Sequence, residues 1–122
     1  MRVTYAIVFV SDMKRSVQFY RGALGLPVKF ESSHWTEFDT PGATLALHLG
    51  EGPGRAGQAS IPESPGGCRP GFGVPDLQSF HSRVVSLGVM CIQEPKDVFG
   101  SKVAIYLDPD GLAVSVGEDR NA

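Results

Sequence analysis

From Tyr5 to Val10 the chain is apolar at every position, with Tyr5, Ile7 and Phe9 alternating against Ala6, Val8 and Val10. Two apolar faces at period two predict a strand buried between a helix layer and a pocket. Ser11 and Asp12 are helix N-cap types. Met13, Val17, Tyr20 and Leu24 follow at helical spacing, and Gly25 stands where a helix commonly ends. Strands are predicted next at about 28–32, 35–39 and 44–49, the last two joined by the turn Thr40-Pro41-Gly42. The same order then returns. A strand over 70–74 leads to Asp76 as N-cap, Leu77, Phe80, Val84 and Leu87 form a helical stripe, and Gly88 ends it. Strands at about 90–94, 103–107 and 112–117 complete the second set, with Asp108-Pro109-Asp110-Gly111 in the hairpin.

The two halves correspond position by position. Val10 and Asp12 map onto Val74 and Asp76, Leu24-Gly25 onto Leu87-Gly88, and Gly42 onto Gly111. The expectation is therefore an α+β chain of two tandem βαβββ modules forming a single domain. Module one covers 1–49, a Gly/Pro-rich linker 50–67, and module two 68–122. The linker has no periodic pattern and can serve as a plain connector or as a lid.

Composition removes several function classes. The 122 residues are 42% hydrophobic with a net charge of −2, enough for one core and without the basic balance of a nucleic-acid binder. The apolar run at Tyr5–Val10 is far short of the roughly 20 residues that span a bilayer. No signal-peptide cleavage pattern follows it. Cys68 and Cys91 do not make a disulfide framework. A cytoplasmic protein with a reduced cysteine pair, no membrane and no nucleic-acid partner is expected.

Val10-Ser11-Asp12, Phe19-Tyr20, Leu24-Gly25-Leu26 and Leu107-Asp108-Pro109-Asp110-Gly111, taken with the duplicated βαβββ plan, resemble the vicinal oxygen chelate superfamily. This group holds the glyoxalases, bleomycin-resistance proteins and extradiol dioxygenases. The resemblance covers nearly the whole chain. It implies that each module curls its sheet into a U and that two modules complete a cleft. In metal-dependent members, a His, Gln or Glu set on the first and last strands holds a divalent ion that binds vicinal oxygens of the substrate.

Carried onto this chain, those ligand positions fall on Tyr5, Ala46, Arg69 and Ser115. Ala46 offers no donor atom, Arg69 is a fixed cation, and Tyr5 and Ser115 are poor ligands. The resemblance thus supports the fold and argues against the family's usual chemistry, so no cofactor is expected.

Strand alternation places Tyr5, Ile7, Phe9, Trp35, Glu37, Thr44, Ala46 and His48 of module one on the cleft side, with Arg69, Gly71, Gly73, Ala104, Tyr106, Ala113 and Ser115 of module two. The opposite faces, including Ile105 and Leu107, form the helix-packed core. Aromatic walls with a few polar groups suit a flat organic ligand. The expected ligand-binding residues are Tyr5, Ile7, Phe9, Trp35, Glu37, His48, Arg69, Tyr106 and Ser115. Glu37 and His48, on adjacent strands, are the candidate general bases and could pair. Each has a structural alternative: Trp35 can cap a sheet edge, and Glu37 can pair with Arg69. His34 and His81 are given no role. The favoured function is sequestration of a small aromatic or polar molecule, as in drug resistance. The alternative is a metal-independent or metal-dependent lyase, isomerase or dioxygenase of the same superfamily. A homodimer is expected.

Overall fold

Side-chain caps set the helix starts. The Asp12 carboxylate accepts the Arg15 backbone N–H at 3.1 Å, and the Asp76 carboxylate accepts that of Ser79 at 3.1 Å. The Ser79 bonds hold the Asp76 carboxyl below its ordinary pKa. Gly25 and Gly88, with φ of 87° and 86°, follow the helix ends in the left-handed region.

In the computed structural model, which describes residues 3–50 and 68–122, these ends delimit two copies of one plan. The first runs β1 (Tyr5–Val10), α1 (Met13–Val17), a π-helical turn (Gln18–Ala23), β2 (Val28–Glu31), β3 (Trp35–Phe38) and β4 (Thr44–Leu49). The second runs β5 (Gly71–Val74), α2 (Leu77–Ser86), β6 (Met90–Val98), β7 (Ser101–Leu107) and β8 (Ala113–Glu118). Contacts along the chain group it into two units, Met1–Gly54 and Arg55–Ala122. Apart from Gly50, the linker expected over 50–67 lies outside the described residues. Each unit carries a four-stranded sheet, ordered β1-β4-β3-β2 in the first and β5-β8-β7-β6 in the second. In both, the first strand runs parallel to the last and the other pairs are antiparallel. The fold is α+β, with tandem βαβββ modules.

In the first unit, Met13, Val17 and Tyr20 are buried, as are Val8, Val10, Phe38, Leu45 and Leu47 on the sheet face they cover. The Thr36 hydroxyl on the same face donates to Met13 Sδ at 3.3 Å. A regular helix was expected to continue to Leu24. Instead the backbone N–H of Leu24 donates to the carbonyl of Phe19, five residues back. The wider turn lets consecutive aromatics share one side. Phe19 and Tyr20 are both buried, edge to face with ring centroids 4.9 Å apart.

In the second unit, Leu77, Phe80 and Val84 of α2 are buried with Ala104, Tyr106, Val114 and Val116 of the sheet. This corrects the sequence expectation for β7. The Asp108 carboxylate accepts the backbone N–H groups of Asp110 at 2.9 Å and Leu112 at 2.8 Å, closing a tight turn. Residues 108–112 separate the paired Leu107 and Ala113, whereas 39–44 separate the paired Phe38 and Leu45. One residue fewer moves the register by one and turns every β7 side chain over. Ala104 and Tyr106 therefore face α2, and Ile105 and Leu107 share the other face with Ser115.

Strand β6 also runs past its expected end at Glu94. Pro95 lies within it because β6 is an edge strand whose register shifts between Gln93 and Lys96. A two-residue turn, Phe99-Gly100, links it to β7, with φ of 50° and 84°.

Candidate functional site

The face of the first sheet turned away from α1 carries a concentrated aromatic surface. Its rows follow from strand pairing. Ile7 of β1, Ala46 of β4 and Glu37 of β3 lie side by side, and so do Phe9, His48 and Trp35; Tyr5 stands beside Thr44. Strand β2 adds Phe30 beside Glu37, through a bulge between Val28 and Phe30. Alternation read from the sequence puts Val28 and Phe30 on one face. The bulge separates them, so Phe30 had no signal by which it could be found.

This face is open. Tyr5 is 46% exposed, Ile7 49%, Phe9 67% and Phe30 53%. Burial of this much apolar surface is worth about 25 cal/mol per Å² to whatever covers it. The rings are not scattered. Phe9 and His48 lie 5.2 Å apart between centroids, Trp35 and His48 5.9 Å, and Tyr5 and Trp35 6.2 Å. Tyr5 and Trp35 come from the strands on either side of β4, and Ala46 between them is fully buried. The two rings thus close over the position where the family resemblance places a metal ligand.

Polar atoms on this face are few, and two hydrogen bonds orient them. The Trp35 indole N–H donates to Oε2 of Glu37 at 2.8 Å. His48 Nδ1 lies 2.8 Å from the carbonyl oxygen of Leu49. A carbonyl can only accept, so Nδ1 carries a proton, and in the neutral ring Nε2 then presents a lone pair. The pairing of Glu37 with His48 expected from the sequence does not form. Glu37 lies across from Ala46, His48 lies across from Trp35, and the indole takes the carboxylate.

The second unit contributes a different face. Ser115 lies between Gly71 and Ile105, half-buried, and Arg69 precedes β5 as an exposed residue. With Ile105 and Leu107 in place of Tyr106, this surface is aliphatic and glycine-rich. Tyr106 is no lining residue: it is fully buried under α2, with its hydroxyl 2.9 Å from His81 Nδ1. His81, given no role from the sequence, is thus a partner in the core. Cys68 and Cys91 are both free, and burial pushes the Cys91 thiol pKa up.

The family's metal does not fit the residues at its positions. Tyr5 and Ala46 of the first unit and Arg69 and Ser115 of the second supply no carboxylate or imidazole. Among the described residues no group of three His, Cys, Asp or Glu side chains could hold an ion. No helix among them is long and apolar enough to cross a membrane.

Comparison with known proteins agrees with the fold. Residues 2–116 match the family model of the Glyoxalase/Bleomycin resistance protein/Dioxygenase superfamily. Among solved structures, the chain is similar to a protein of unknown function from Agrobacterium tumefaciens str. C58, at 28% identity and a TM-score of 0.76, covering 98% of this chain and 94% of that one. It also resembles a lactoylglutathione lyase from Agrobacterium tumefaciens (21% identity, TM-score 0.72, 98% and 94% covered). A third is TioX from Micromonospora sp. ML1 (14% identity, TM-score 0.72, 97% and 98% covered). No curated protein matches the sequence.

Proposed function

The chain belongs to the Glyoxalase/Bleomycin resistance protein/Dioxygenase superfamily, and from that premise we propose that it binds a small flat aromatic molecule on the open face of its first sheet, without a metal. The observation that carries this reading is the Tyr5–Trp35 pair closed over Ala46, with Phe9, Phe30 and His48 around it. Where metal-dependent relatives present a ligand, this chain presents a ring surface. Such a surface stacks on a planar molecule.

Trp35 is the chain's one tryptophan, so its indole N–H gives one resonance in a nitrogen-correlated spectrum. Titration with naphthalene methanol is expected to shift that resonance. Trp35→Ala is expected to weaken binding, measured by calorimetry, by about 1–3 kcal/mol. An affinity unchanged by the substitution would place the ligand elsewhere and sink the reading.

A second reading, a lyase or isomerase, draws on His48. Its protonated Nδ1 is held by Leu49, and Nε2 is positioned to accept a proton from a bound molecule. Conversion of the bound compound, lost in His48→Gln, would favour that reading; binding without conversion favours sequestration.

A further inference from the structure

We infer that the molecule taken by this face carries a positively charged amine or amidine group, held between the Glu37 carboxylate and the surrounding rings. The inference rests on the binding reading above and names its ligand class.

It follows from an inventory of what the face can offer. The Trp35 indole N–H, a donor, is spent on Glu37 Oε2. That bond leaves the other carboxylate oxygen, Oε1, without a partner among the described residues. His48 donates through Nδ1 to Leu49, so in the neutral ring Nε2 accepts. Two acceptors are thus exposed, while the donors left are the dual-purpose hydroxyls of Tyr5 and Thr44. Among the paired positions of the face the only full charge is the negative one on Glu37. Lys29, the unpaired residue of the β2 bulge, makes no ion pair with it.

The apolar surroundings point the same way. Glu37 stands between Ala46 and Phe30 in its row, with Trp35 bonded to it. Faces of Trp, Tyr and Phe rings attract a cation and repel an anion. A half-buried carboxylate bordered by such rings forms a charge-assisted bond with an ammonium at both components' advantage. A carboxylate-bearing ligand would meet Glu37 with like charge and, among the paired positions of the described strands, no Lys or Arg to hold it. Arg69, expected from the sequence as a ligand-binding residue, belongs to the second unit.

The test uses three probes of one shape: naphthalene methylamine, naphthalene methanol and naphthalene acetate, titrated at neutral pH while the Trp35 indole resonance is followed. The amine is expected to bind about tenfold more tightly than the alcohol, and the acetate more weakly than either. In Glu37→Gln, which keeps an acceptor for the indole N–H, the amine-to-alcohol ratio is expected to fall to near one. A Glu37→Gln protein whose spectrum shows it unfolded would be replaced by Glu37→Asp, for which the ratio is expected to fall as the shortened carboxylate withdraws. An acetate that binds as well as the amine overturns the inference and leaves the binding reading standing. So does a preference that survives in the variant. If none of the three moves the resonance, the binding reading fails and this inference with it. A resonance that moves with protein concentration alone means that a second copy of the chain covers the face, which also overturns the inference.

Discussion

The Tyr106 hydroxyl lies under α2, 2.9 Å from His81 Nδ1, and burial, with a smaller contribution from Cys91, pushes its pKa up to about 12. A tyrosine in the unfolded chain ionises near pH 10. The folded chain therefore keeps a proton that the unfolded chain releases. Tyr106's contribution to stability is complete below about pH 10 and is lost as the pH rises towards about 12. Urea midpoints measured from pH 9 upward are expected to fall through this window, and Tyr106→Phe is expected to flatten the fall. At neutral pH the same substitution removes one hydrogen bond and costs about 1 kcal/mol. A fall of equal steepness in the variant would assign the titration to another group. Tyr106 also shows what single-residue reading could and could not reach. The first unit's Tyr5, Ile7, Phe9, Trp35, Glu37 and His48 follow plain alternation and stand on the face expected of them. Alternation alone puts Tyr106 on the cleft side, and a turn one residue shorter than the first hairpin's reverses it.

At the scale of elements, caps and terminal glycines were legible because each acts through its own side chain or its own φ. The π turn and the bulges were not, because each is a response to neighbours on another strand or across the core. The Phe99-Gly100 turn adds a local cost. Both residues have positive φ, as the tightest hairpin turns require, and asparagine, aspartate or glycine normally fills the first of them. Phe99 occupies it fully exposed, so no burial offsets the strain of a bulky residue there. Phe99→Asn is accordingly expected to raise unfolding stability by about 1 kcal/mol. Gly100→Ala should lower it by about 1 kcal/mol or more: the φ of 84° alone sets that penalty, since nothing lies within 4 Å of the added methyl. Chemical denaturation of the two variants reads both. A Phe99→Asn protein less stable than the parent would mean that the ring makes a contact worth more than the strain.

The whole molecule keeps its superfamily's scaffold while changing what the scaffold displays. Duplication of βαβββ was legible in the sequence because both copies retain their caps, glycines and apolar stripes, which the fold needs whatever the function. The display diverges at positions where the fold is indifferent: Tyr5, Ala46, Arg69 and Ser115 sit on the first and last strands or just before them without serving the helix-packed core. Metal dependence should therefore be absent while stability is ordinary. An ion held a thousandfold above its dissociation constant stabilises a protein by about 4 kcal/mol. For a chain of this size its removal would lower the melting temperature by on the order of 10 °C. Purified protein is expected to hold far less than one equivalent of nickel, zinc, iron or manganese by elemental analysis, and a chelator is expected to leave its melting temperature unchanged. The donor chemistry sets this outcome: Ala46 has no ligating atom, Arg69 repels a cation, and among the described residues no three His, Cys, Asp or Glu side chains could hold an ion. Ala46→His introduces an imidazole under the Tyr5 and Trp35 rings, where the fully buried methyl leaves it no room without displacing one of them. That variant is expected to disturb the Trp35 indole resonance without acquiring a metal. A stoichiometric ion in the parent protein, lost to chelator with a drop in melting temperature, would show that ligands come from residues other than the four the family resemblance selects.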